Sequence, residues 1–142
     1  MKVLISDKVD TGCVGILEEG GEISVDVNTD LTPDQLLEVI GDYDGLIVRS
    51  ATKVTRDVLD RATRLRAIGR AGAGVDNIDS QAATRRGVVV MNTPGGNSIS
   101  TAEHAVSMMM ALARNIPQAS HSVKGGKWDK SAFTGVEMTG KT

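Results

Sequence analysis

The sequence predicts an α/β protein built on a doubly wound parallel sheet of five strands. Short aliphatic or β-branched runs recur at residues 3–5, 23–27, 46–48, 65–68 and 88–91. Their starts lie roughly 20 residues apart, the length of a strand-helix unit and too long for a hairpin. Each interval carries helix start and stop signals, so strand and helix alternate, and helices are expected on both faces of the sheet.

Taken in order, the first strand leads into a helix containing Cys13, read as a small core residue. After the second strand, Thr32 offers an N-cap, Pro33 takes the first helical position and Gln35 completes a capping box. Leu36, Leu37, Val39 and Ile40 then form an apolar stripe that Gly41 ends. Thr55 can cap a third helix bearing Val58, Leu59 and Ala62. Asn77 or Asp79 can open a short fourth helix, closed by Arg85, Arg86 and Gly87. Beyond Met91 the turn-rich NTPGGN at 92–97 precedes Ser100-x-x-Glu103, a second capping box expected to open a longer helix. Ile99, Ala102, Val106, Met109, Ala113 and Ile116 fall at helical spacing on it, and Met108 and Met110 widen the apolar surface. From Gln118 the chain is polar and glycine-bearing, with Trp128 and Phe133 as anchors. Residues 1–97 are therefore expected to form one domain, and 98–142 an arm that packs on something else.

Composition narrows the function. One Trp, one Tyr and one Phe among 142 residues leave the core to aliphatics. They also argue against a base-stacking nucleic-acid binder or an aromatic-stapled β-sandwich. The net charge of −2 gives no reason to expect nucleic-acid or membrane partners, but it hides a split. Residues 1–47 carry two lysines against eleven acids, whereas 48–142 carry fourteen bases against seven acids. A single cysteine allows no internal disulfide and too few thiolates for a zinc cluster, so no metal is expected and a reduced cytoplasm is the expected location. No signal peptide is read, and no apolar run approaches the ~20 residues of a membrane span.

Residues 135–142, GVEMTGKT, match the phosphate-loop pattern G-x-x-x-x-G-K-[ST]. No apolar strand precedes Gly135, so the context that gives the pattern its chemistry is absent. GRAGAGVDN at 69–77 is more informative, because it follows a predicted strand and enters a helix. It is not the dinucleotide fingerprint, since the third glycine would fall at Asn77. Two readings stand: a backbone cradle for a small carboxylate, or a tight turn that needs positive φ. Arg49-Ser50 ends the third strand and Arg70 the fourth, at the carboxyl edge where open α/β sheets bind ligands. Two guanidiniums there suit a doubly anionic substrate; surface pairing with Asp76 or Asp44 is the plainer account. His104 and His121 read as structural and solvated residues, and the phosphoacceptor constellation fails because Arg49 and Asn92 stand where an Asp and a Lys are needed.

The runs LIVRSATKVT at 46–55, AIGRAGAGVDNID at 67–79 and VMNTPGGNS at 90–98, followed by TAEH at 101–104, resemble the amino-terminal part of the NAD-dependent D-2-hydroxyacid dehydrogenases. The likeness extends over essentially the whole chain. It implies a flavodoxin-like substrate-binding domain over 1–97, lacking its returning C-terminal helix, then a crossover helix and the start of a nucleotide-binding domain over 98–142. It points to the branch that oxidises 3-phospho-D-glycerate to 3-phosphohydroxypyruvate with NAD in L-serine biosynthesis; another branch, or a non-catalytic interaction module, is the alternative. By the same resemblance Arg49, Ser50, Arg70, Ala73, Gly74 and Asn97 contact the acidic substrate. Ala73 and Thr101 lie on the cofactor side, with Ala73 standing where relatives carry a threonine. The family's G-x-G-x-x-G and its catalytic Arg, Glu and His would fall beyond Thr142, so no catalytic residue is expected in this chain. Homo-oligomer contacts are expected after residue 98.

Overall fold

In the computed structural model, which describes residues 1–141, five strands form one parallel sheet. They are β1 (Lys2–Ile5), β2 (Ser24–Val27), β3 (Gly45–Val48), β4 (Ala67–Arg70) and β5 (Val89–Asn92), in the order β2-β1-β3-β4-β5. The connecting helices are α1 (Gly12–Glu18), α2 (Pro33–Val39), α3 (Arg56–Arg61) and α4 (Ser80–Arg85). The winding direction reverses between β1 and β3, and that switch point opens a crevice outside the carboxyl ends of the strands.

Register explains the core. Leu4, Leu46, Ile68 and Val90 stand side by side across β1, β3, β4 and β5. They pack with Leu36 and Ile40, with Val58 and Leu59 of α3, and with Ala82 and Ala83 of α4. Each large aliphatic fully buried there contributes roughly 1.5–3 kcal/mol. Val27, Ile5, Ile47, Gly69 and Met91 line up on the opposite face, where Val27 and Met91 remain exposed.

The capping box of α2 forms as read, with Thr32 Oγ1 accepting from Gln35 N–H at 3.3 Å and Gln35 Oε1 accepting from Thr32 N–H at 2.9 Å. Thr55 caps α3. Of the two candidates for α4, Asp79 is the cap, accepting from Ala82 N–H at 2.8 Å. Cys13 is only half-buried, because α1 contributes no buried residue to the core.

The chain divides into two compact units, Met1–Gly96 and Asn97–Thr142. The second contains α5 (Ser98–Ala113) and α6 (Ile116–Lys124). Two expectations are corrected here. Ser100-x-x-Glu103 is no capping box: α5 already begins at Ser98, and Ser100 Oγ donates to the Asn97 carbonyl from inside the first turn. The helix read through to Ile116 ends at Ala113, and the polar stretch read from Gln118 is helical as far as Lys124: Asn115 takes a left-handed φ of 50° that breaks the helix, and Pro117 restarts it in the first turn of α6. Among the described residues, no helix is long and apolar enough to cross a membrane.

Candidate anion-binding site

The sheet places Arg49 and Ser50 directly after β3 and Arg70 at the end of β4, one strand apart on the carboxyl edge. Arg49 and Ser50 are exposed, and among the described residues the Arg49 guanidinium has no hydrogen-bond or ion-pair partner. The loop that carries them is held by its backbone. Asp7, buried just beyond β1, accepts from the N–H groups of Arg49 at 2.6 Å, Ala51 at 3.2 Å and Thr52 at 3.1 Å. Thr52 Oγ1 adds a fourth donor at 2.7 Å. Burial works to raise the Asp7 carboxyl, but these bonds from Thr52, Arg49 and Ala51 outweigh it and hold the group below the usual carboxylate range.

Arg70 is the more constrained arginine, its side chain only 13% exposed. Its Nε donates to the Arg49 carbonyl at 3.1 Å and to Asn77 Oδ1 at 3.1 Å. Asn77 Nδ2 in turn donates to the carbonyls of Arg49 at 3.1 Å and Thr52 at 2.6 Å. Among the described residues, the outer edge of the guanidinium meets only Asp76, at 3.7 Å, whose side chain is 86% exposed. That pairing is therefore weak and screened, and the arginine's charge is left largely uncompensated.

The turn at 71–76 corrects one reading of its glycines. Neither Gly72 nor Gly74 has positive φ. Side-chain proximity is what the glycines accommodate: a Cβ on Gly72 would lie 2.6 Å from Nη1 of the held Arg70 side chain and displace it, whereas one on Gly74 would lie 2.9 Å from Oδ1 of the exposed Asp76, which can swing away. The Thr93 N–H bond to Gly72 O at 3.0 Å and the Asn92 side-chain bond to Ala73 O at 2.6 Å hold the turn in place. Among the described residues, the exposed N–H groups of Ala73 and Gly74 donate to no protein acceptor. The turn thus offers two open amides near a half-buried guanidinium, the donor set a carboxylate or phosphate takes. It does not fit a dinucleotide, because Arg70 fills the space over Gly72 and position 77 carries a side chain engaged with two carbonyls.

Asn97 and Thr101 belong to the second unit, at the start of α5, and both are exposed. His104 is exposed on the same helix and His121 on α6. Gly135 is required by the close approach of the Ala113 carbonyl, and no helix follows it among the described residues, so the phosphate-loop pattern has no matching structure. Thr142, which ends that pattern, lies outside the described residues. The residues that sequence reasoning did not assign to the site are Asp7 and Asn77. Asp7 was visible as an acid after the first strand, and Asn77 as a helix-opening candidate.

The profile of the D-isomer specific 2-hydroxyacid dehydrogenase catalytic domain matches residues 3–134. The chain is 55% identical over 141 residues to the D-3-phosphoglycerate dehydrogenase of Rattus norvegicus, covering 99% of this chain and 26% of that protein. Against the enzyme of the same name from Methanocaldococcus jannaschii it is 54% identical over 142 residues, covering 100% and 27%. A solved structure of cofactor-bound 3-phosphoglycerate dehydrogenase from Entamoeba histolytica superposes with a TM-score of 0.72 at 30% identity, over 97% of this chain and 43% of that one. The chain spans about a quarter of the length of the curated relatives it matches. With the profile covering nearly all of its residues, the chain belongs to the D-isomer specific 2-hydroxyacid dehydrogenase family.

Proposed function

We propose that this chain supplies substrate-anion recognition for an NAD-dependent dehydrogenase that oxidises 3-phospho-D-glycerate to 3-phosphohydroxypyruvate, the first step of L-serine biosynthesis. The observation that carries the reading is the pairing of two arginines on adjacent strand ends with the open amides of Ala73 and Gly74. A substrate with both a carboxylate and a phosphate needs two cationic or N–H-rich contacts, and this edge has them. The free guanidinium of Arg49 suits the more mobile anionic group, and the fixed Arg70 with the 73–74 amides suits the other. Ser50 adds a hydroxyl beside Arg49.

Met1–Gly96 is assigned as the substrate-binding domain, and the second unit as the crossover helix with the beginning of the nucleotide-binding domain. The roles of Asn97 toward substrate and Thr101 toward NAD rest on family resemblance. NAD chemistry and proton transfer are assigned to the longer protein, and homo-oligomer contacts to the region after residue 98. Exposed Ile99, Val106, Met108, Met109 and Met110 on α5 support the last of these.

Calorimetric titration tests the reading. The 142-residue chain is expected to bind 3-phosphoglycerate more tightly than D-lactate and to show no NAD reduction. Arg49→Ala and Arg70→Ala are each expected to weaken 3-phosphoglycerate binding about ten-fold or more, the cost of a lost charge-assisted contact. Binding unaltered in both variants would remove this edge from the site.

A further inference from the structure

We infer that Asn77 is the positioning residue of the anion site, the group that aims the Arg70 guanidinium and ties it to the loop bearing Arg49. The inference rests on the proposed role of Arg49 and Arg70 and extends it to a residue that binds no substrate itself. An arginine at a strand end has several rotamers open to it, and an anion can use it only in the one that turns its outer N–H groups toward the ligand. Here Nε, on the inner edge, is committed to two acceptors, the Arg49 carbonyl and Asn77 Oδ1. With Nε anchored there, Nη1 comes to rest over Gly72, beside the turn whose Ala73 and Gly74 amides are open.

The other end of the Asn77 amide secures the loop. Its Nδ2 donates to the carbonyls of Arg49 and Thr52, while Asp7 takes the N–H groups of Arg49, Ala51 and Thr52. The stretch 49–52 is therefore held from both its N–H and its C=O sides, by residues 42 and 28 positions away from Arg49 in the sequence. The Arg70 Nε–H also reaches the Arg49 carbonyl directly, and only a side chain carrying both an acceptor and a donor at this reach can hold that Nε–H while tying down the Arg49 and Thr52 carbonyls. Aspartate lacks the donor and would neutralise the guanidinium; leucine lacks both. Asn77 also leaves the helix cap to Asp79, so its amide is free for this task.

The test uses the whole chain, with calorimetric affinity for 3-phosphoglycerate, a urea midpoint and the 15N resonance of the Arg70 Nε–H measured for each variant. Asn77→Leu and Asn77→Asp are expected to weaken binding by the folded protein about ten-fold or more. Asn77→Asp also guards against a variant that fails to fold, because it keeps the acceptor and the size. In Asn77→Leu the Arg70 Nε–H signal is expected to move toward that of a solvent-exposed arginine and to exchange faster with water. Gly87→Ala, which strains the chain beyond the far end of α4, serves as a control that lowers stability without altering affinity. Should the Asn77 variants lower the urea midpoint like this control yet keep full affinity and the native Arg70 resonance, Asn77 is a structural residue and the inference fails. If Arg70→Ala itself keeps full affinity, the anion-site reading fails first, and the two failures are thereby told apart.

Discussion

Asp7 directs a negative charge at three backbone N–H groups and one hydroxyl, and it stabilises the 49–52 stretch only while ionised. Its carboxyl is depressed in the folded chain, so the contribution is complete above about pH 4 and is lost as the pH falls through the folded-state value. Asp7→Asn keeps the size but replaces one acceptor oxygen with a donor that faces other donors. It is expected to cost about 2–3 kcal/mol at pH 7, the scale of hydrogen bonds to a charged group. Urea unfolding of both proteins at pH 7 and pH 3 checks the sign: the gap should narrow in acid, and a constant gap would show that the charge plays no part. The placement of Arg49 and Arg70 on the carboxyl edge was legible because each follows or ends an aliphatic run that reads as a strand of a parallel sheet. Asp7 and Asn77 were not, because their partners lie far along the chain and become neighbours only when β1, β3 and β4 pair in register.

The helices show where local signals suffice. Thr32-Pro33-Asp34-Gln35 produced its capping box because the cap, the proline and the glutamine all act within one turn. Ser100-x-x-Glu103 carries the same letters but sits inside the first turn of α5, where the serine hydroxyl returns to a backbone carbonyl instead of accepting an N–H. The break at Asn115 was equally hidden, since asparagine adopts left-handed φ only where the surrounding chain requires it. Gly87 offers a sharper test of element-level reading. It follows α4 with φ +70° and has open space around it, so a side chain there meets backbone strain and no clash. Gly87→Ala is expected to destabilise by about 1–2 kcal/mol, whereas Gly20→Ala, also in open space but without positive φ, should change stability by less than about 0.5 kcal/mol. Denaturant unfolding of the two variants side by side measures the difference. Equal effects would mean that the left-handed turn is not fixed in the folded chain.

The composition that set the starting limits also supplies probes for the whole molecule. The residues of the core cluster run from Leu4 to Val88, and no described residue after Val88 is buried. Cooperative stability therefore resides in Met1–Gly96, since burial of aliphatic surface is the dominant favourable contribution to folding. The single tyrosine and the single tryptophan fall in different units. Tyr43 is 8% exposed, with its hydroxyl donating to Asp26 at 2.8 Å, while Trp128 is 76% exposed. A chain ending at Gly96 is expected to lose its Tyr43 near-ultraviolet circular dichroism in one transition, at the same urea midpoint as the 142-residue chain. Trp128 emission in dilute solution should already lie near that of a water-exposed indole and shift little across that transition. A blue shift of Trp128 with rising protein concentration, at constant Tyr43 signal, would locate association in the second unit, as the exposed face of α5 leads one to expect. If instead the shorter chain shows no cooperative transition, part of the stability of the sheet comes from the residues after Gly96, and the placing of cooperative stability in Met1–Gly96 is wrong.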